Sequence, residues 1–303
     1  MSELSDEPNL CATGLKFPEG PIWLPNGDVL LVEIARGTLT AVSPDGHSRV
    51  VASPGGGPNG AAIGPDGHCY ICNNGGFEWH ENNGRLYPGL QPENYSGGRI
   101  ERVNLSSGAV EVLFDRVGDE RLKGPNDLVF DAHGGFWFTD HGKQRQRDKD
   151  RTGAFYAARN SDGSYSPREV IFPLEGPNGI GLSPAGDELY IAETPTGRLW
   201  AWSLSAPGVV DGPGRVVRGR EGYFMFDSLA VQADGRVAVA TLIDGGISVL
   251  DPEGGPPEFV SMPDRLTTNI CFGGANLDQA WITLSSTGQL VSLPWGSPGL
   301  KLA

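Results

Sequence analysis

The stretch 126-NDLVFDAHGGFWFTD-140 decides how this chain folds. It opens on a polar residue, Asn126, runs through Leu128, Val129 and Phe130, turns at His133-Gly134, and returns through Phe136, Trp137 and Phe138. Aromatic and β-branched runs on either side of a Gly turn read as a β-hairpin. The same frame recurs at 19-EGPIWLPNGDVLLVE-33, 59-NGAAIGPDGHCYICN-73, 178-NGIGLSPAGDELYIAE-193 and 227-DSLAVQADGRVAVAT-241. A looser copy is 267-TTNICFGGANLDQAWITL-284, whose leading polar position is Thr268 by apolar alignment and Asn269 by residue type.

Further strand-like runs follow the hairpins, such as TLTAVS and SRVVAS after the first and RLWAWSL and GRVVRG after the fourth. Four antiparallel strands in a repeat of about 40–65 residues describe a propeller blade. The expected fold is therefore all-β: one six-bladed β-propeller domain over 1–303, with four antiparallel strands per blade. The last copy supplies only three strands, ending at GQLVSLPW. The segment NLCATGLKF, ahead of Glu19, is expected to close the sixth blade as its outermost strand and so remove an open edge.

Composition agrees with this reading. Hydrophobic residues make up 38% of the chain, enough for a core, so 45 Gly and 24 Pro signify turns and not disorder. A net charge of −14 argues against nucleic acid or an anionic membrane as partner. No run is apolar enough to span a bilayer, and MSELSDEPNL lacks the basic and apolar regions of a signal peptide. The cytoplasm is the expected location by default, and monomer or homo-oligomer stays open. Cys11, Cys69, Cys72 and Cys271 are expected as packed thiols, the CxxC at 69–72 having no second copy.

A blade's first strand lines the central channel and its second runs back beside it. The leading residues of the repeats then gather at one end of the channel: Glu19, Asn59, Asn126, Asn178, Asp227 and Thr268 or Asn269. A second tier of Glu33, Asn73, Asp140, Glu193 and Thr241 is expected around them. Two carboxylates among neutral oxygen donors suit one hard divalent cation. Ca²⁺ is the first choice, with Mg²⁺ or Mn²⁺ as alternatives and Zn²⁺ less suited for want of His and Cys. Capping of turn backbones by the same residues is the competing explanation.

With FPEGP at 17–21, GPND at 124–127, GGFWFTD at 134–140, GPNGIGLS at 176–183, LYIAET at 189–194 and FDSLAVQADG at 226–235, the chain resembles the family of senescence marker protein (regucalcin), gluconolactonase and luciferin-regenerating enzyme. The resemblance implies a six-bladed propeller with one divalent ion at the top of the channel. It places the metal-binding residues on Glu19, Asn126, Asn178 and Asp227, with Asp227 also the proposed general base. Two departures stand out: Phe226-Asp227-Ser228 replaces the usual Pro-Asp-Gly, and Lys123 stands in a stretch where regucalcin-like members carry a substrate-binding Arg.

The expected activity is metal-dependent opening of a lactone, or cleavage of a related ester, on a small-molecule substrate. Asp227 would serve as base or as ligand alone. Asn126, His141, Lys123, Trp79, Asn73 and Tyr223 are the expected substrate contacts, His141 either binding substrate or shuttling a proton. The insertion after Asn73, with Trp79, His80, Tyr87 and Tyr95, is expected to form a lid, and KQRQRDKDR at 143–151 a solvated loop. A non-catalytic binding propeller and a phosphoester or organophosphate hydrolase on the same ring are the alternatives.

Overall fold

A computed structural model describes residues 7–217 and 221–302. The first six residues of the chain, and Gly219 and Arg220 of the segment leading to Tyr223, fall outside the described residues. Six four-stranded antiparallel sheets form the six blades of a β-propeller. Their innermost strands are Pro18–Trp23, Pro58–Ile63, Pro125–Phe130, Pro177–Leu182, Met225–Val231 and Thr267–Gly273. Each contacts the next, and the last contacts the first, which closes the ring.

The N-terminal strand completes the sixth blade as expected. Asn9–Ala12 pairs antiparallel with Gln289–Pro294, with Asn9 opposite Ser292 and Ala12 opposite Leu290. The Leu15 N–H donates to the Gly288 carbonyl at 3.1 Å just beyond it.

Second strands are buried on both faces because neighbouring blades cover them. Val29–Glu33, Cys69–Asn73 and Phe136–Asp140 are buried throughout, whereas the outermost Ser48–Ala52 and Val110–Phe114 are largely exposed. The core therefore lies between blades. Between blades three and four it consists of Val129, Trp137 and Tyr156 against Ile180, Leu189 and Trp202. All four cysteines are free thiols.

First strands pack so closely that some positions exclude a side chain. A Cβ on Gly60 would fall 2.4 Å from the Asn126 carbonyl oxygen, and one on Gly179 would fall 2.6 Å from the Leu229 nitrogen. Contacts this short force the backbone apart, so glycine at these positions sets the channel's width.

Candidate functional site

Every first strand carries a one-residue register shift against its second strand near the leading polar position. The leading residues of blades one to five follow the paired positions Pro18, Pro58, Pro125, Pro177 and Phe226. In blade six the equivalent pairing is Thr267 with Leu284, so Thr268 holds the leading position. Asn269, one residue on, still reaches the ring: its Nδ2 donates to Glu19 Oε2 at 2.7 Å.

Glu19, Asn59, Asn126 and Asn178 are buried, and Asp227 is half-buried. Burial, offset by hydrogen bonds from Asn269 and the Gly20 N–H, raises the Glu19 carboxyl above its ordinary range. Asp227 is raised further, first by burial and then by the charge of Glu19, with a hydrogen bond from Asn178 opposing the shift. Asn178 Oδ1 accepts from Ser228 Oγ at 3.3 Å, and its Nδ2 donates to Thr194 Oγ1 at 3.0 Å. Asn126 Oδ1 is buried with no hydrogen-bond partner among the described residues.

Two facing carboxylates that repel, with a buried amide oxygen lacking a donor, form a donor set suited to a hard cation. Among the described residues, no three His, Cys, Asp or Glu side chains are grouped to hold a metal ion. A cation here would need the amide oxygens of Asn126 and Asn178 as well as the two carboxylates.

Sequence reasoning missed Asp127. It is buried and feels the charge of Glu19, and its hydrogen bonds come from Ser228 and the Leu128 and Ile180 backbone. Burial pushes its pKa up to about 7. The signal was present: the position after the leading residue is Gly in three blades (Gly20, Gly60, Gly179) and polar in the other three (Asp127, Ser228, Asn269).

The expected second tier is displaced by one residue. Pro18 pairs with Glu33, while Glu19 pairs with Val32. Residues directly opposite share a face, so Glu33 points away from the side of Glu19. Glu33, Asp140 and Glu193 instead pin loops: Glu33 accepts from the Lys16 N–H, Asp140 from the Lys123, Gly124 and Gly142 N–H groups, and Glu193 from the Glu175 N–H.

Asn73, expected to touch substrate, does the same work. It is fully buried, Oδ1 accepts the Gly57 and Gly75 N–H groups, and Nδ2 donates to Gly55 O and Glu101. No group on it is left for a ligand. One position later, two side chains do meet the ring. Thr194 touches Asn178, and Ser285 Oγ meets Thr268 Oγ1.

His141 is half-buried, and burial, with the charges of Lys149 and Lys143, pushes its pKa down to about 3. This shift favours the neutral imidazole near pH 7. Lys123 lines a cavity of about 320 Å³ with Tyr95, Arg99, Asp115 and Arg121, and no ring residue lines it. Tyr223 is 75% exposed, whereas Phe224 beside it is packed into the core.

The insertion does cross the top face. Trp79 packs on Phe17 of blade one, with ring centroids 5.1 Å apart. The Leu86 N–H donates to Ser286 O of blade six at 2.9 Å, and Arg85 lies 3.6 Å from the buried Asp264. The Gln91 N–H donates to Gln144 O of blade three at 2.9 Å.

Lys143 departs from the expected solvated loop at 143–151, whose other residues are exposed or half-buried. Its side chain is 1% exposed, and Nζ donates to Asn74 Oδ1 at 3.1 Å and Gly76 O at 2.6 Å, 3.9 Å from the Phe77 ring centre. Burial lowers its pKa from 10.5 to about 7, against the opposing pull of Asp140 and Asp150. Between these values the unfolded chain binds the extra proton, so native stability rises with pH. The melting temperature is expected to increase from about pH 7 to pH 9, and Lys143→Met to flatten that rise. An equal slope in both proteins would show that Lys143 does not titrate there.

The model of the SMP-30/Gluconolactonase/LRE-like region matches residues 17–286. Among curated proteins, the gluconolactonase of Zymomonas mobilis is 25% identical over 301 residues, covering 89% of this chain and 77% of its own. The lactonase drp35 of Staphylococcus saprophyticus is 29% identical, covering 82% of this chain and 70% of its own. Among solved structures, a gluconolactonase from Xanthomonas campestris superposes with a TM-score of 0.73 at 21% identity, over 97% of this chain and 95% of that one.

Proposed function

Because the chain belongs to the SMP-30/gluconolactonase/LRE-like family, we propose that it is a lactonase dependent on a divalent cation, with its reaction centre at the ring of Glu19, Asn126, Asn178 and Asp227. The observation that carries this reading is the pairing of a buried Asn126 Oδ1, unpartnered among the described residues, with two interacting carboxylates whose proton affinity is raised. Its relatives with curated names include a gluconolactonase and lactonases.

The four ring residues would hold the cation through oxygen, with Ca²⁺ the best match to a mixed carboxylate and amide set. When bound, the ion supplies polarisation of the lactone carbonyl and offsets charge on its oxygen. Asp227 takes the proton of the attacking water as the water oxygen bonds to the carbonyl carbon. The ring C–O bond then breaks, and the leaving oxygen takes the proton back from Asp227, giving the hydroxy acid. Asp127 accepts hydrogen bonds from Ser228 and the Ile180 N–H, which tie blade three to blades five and four.

The test is a panel of sugar, alkyl and aryl lactones with chelated protein. Hydrolysis is expected to fall by at least about 100-fold on chelation and to return with Ca²⁺, since one electrostatic stabiliser contributes on the order of 10²–10³. Full activity in metal-free protein would overturn the reading.

A further inference from the structure

The insertion after Asn73 is fastened unequally along its length. Its two ends are tied to blade three: Lys143 Nζ donates to Asn74 Oδ1 and Gly76 O, and Arg145 Nη1 donates to Gln91 Oε1 at 3.1 Å. The Gln91 N–H adds its bond to Gln144 O. Between these ends stands a two-stranded hairpin, Trp79–Asn82 against Arg85–Pro88, with His80, Glu81, Asn82 and Pro88 exposed. A ribbon of two strands has no core of its own, so its position depends on what it rests on.

It rests on residues that flank the ring. Trp79 packs on Phe17, two residues before Glu19. The Leu86 N–H donates to Ser286 O, and the neighbouring Ser285 Oγ meets Thr268 Oγ1 and donates to the Pro18 carbonyl. From a base on blades two and three, the hairpin therefore reaches the ring end of blades one and six.

Its third contact is the ion pair of Arg85 with Asp264. Asp264 is buried, and both of its oxygens are already provided for. Oδ1 accepts from the Leu266 N–H and Ser286 Oγ, and Oδ2 from the Thr287 N–H and Oγ1. A carboxylate with four donors is satisfied without a cation. Arg85 comes as a fifth partner from the rim: its side chain is 39% exposed, and Nη1 lies 3.6 Å from Oδ1, beyond hydrogen-bond length. Breaking the pair strands no buried charge, because Asp264 keeps its donors and Arg85 returns to water. Lys143 at the base is the opposite case. Its ammonium is buried and bonded to the insertion itself, so the base holds while the tip can let go.

We propose that Arg85 and Asp264 form a releasable latch. Closed, it holds the hairpin across the ring end on blades one and six; released, the hairpin lifts and opens the ring to substrate. Both are positioning residues. The opening to substrate rests on the lactonase reading, whereas the latch does not.

Amide hydrogen exchange reads the latch with no substrate present. The Leu86 N–H, bonded across to Ser286, reports the tip, and the Gln91 N–H, bonded to Gln144, reports the base. Arg85→Met removes the charge and should speed exchange at Leu86 by about threefold or more, the scale of a partly exposed ion pair. Exchange at Gln91 should not change, and Arg85→Lys should restore most of the native protection at Leu86. The melting temperature confirms that both variants fold. Unchanged exchange at Leu86, equal acceleration at Gln91, or Arg85→Lys exchanging as fast as Arg85→Met would each overturn the latch. Hydrolysis of a lactone reads the gate: Arg85→Met should raise KM and kcat together by about threefold, since a looser lid closes less firmly on substrate and frees product sooner. Faster exchange beside unchanged KM and kcat would overturn the gating. Exchange as expected in a native protein that hydrolyses no lactone would support the latch and refute the lactonase.

Discussion

Asp227→Asn is expected to lower kcat/KM for lactone hydrolysis by about 10³-fold or more, the combined scale of a lost proton acceptor and a lost electrostatic partner. The amide has the same shape but takes no proton from water, and the ring retains one negative charge, on Glu19. The same substitution removes the repulsion from Glu19 that adds to burial in raising Asp227. Cation-free Asp227→Asn should therefore melt no lower than the cation-free native protein, so the lost activity cannot be laid to misfolding. In native protein, Ca²⁺ at about 100 times its dissociation constant should add roughly 2.7 kcal/mol of stability, and in the variant that gain should largely vanish. Activity within tenfold of native would show that Asp227 neither takes the proton nor supports the charge at the reacting carbon.

Deleting residues 1–16 is expected to produce the largest loss of stability. The deletion removes Asn9–Ala12 from the edge of blade six and takes away the buried Ala12 and Leu15, which pack with Val29, Leu31 and Leu290. It also removes the Lys16 N–H from the buried carboxylate of Glu33. Burying one Leu contributes about 1.5–3 kcal/mol and a hydrogen bond to a charged group about the same. With the strand's own pairing lost too, about 5 kcal/mol is expected, a fall in melting temperature on the order of 10–20 °C. The strand joins the two ends of the ring, so its loss also leaves Gln289–Pro294 as an open edge, which favours aggregation. An unchanged melting temperature would mean that the sixth blade holds without its outermost strand.

The blades were legible because the signal is local. Each frame carries its own alternation, Gly turn and leading polar residue, and the hairpin forms wherever that pattern stands. The position of Glu19, Asn126, Asn178 and Asp227 at one end of the channel follows from that frame alone. Side-chain direction beyond it does not. A strand turns successive residues to opposite faces, so a one-residue difference separates Asn73, spent on Gly57 and Gly75, from Asn74, which holds a free donor.

Lys143 was likewise hidden. In a run of alternating charges it reads as solvated, and only the insertion from blade two, with Gly76, Phe77 and Asn74, gives it a buried seat. By itself the sequence determined the propeller, its closure by the N-terminal strand and the residue types at the head of each blade. The tertiary structure alone decided which of those groups are spent and which are free. That outcome depends on partners far apart in the chain: Asn74 and Lys143 lie 69 residues apart, Glu19 and Asn269 lie 250 apart. Local periodicity carries no information about contacts of that range, and these contacts leave Asn74 Nδ2 and His141 Nδ1 buried with no hydrogen-bond partner among the described residues.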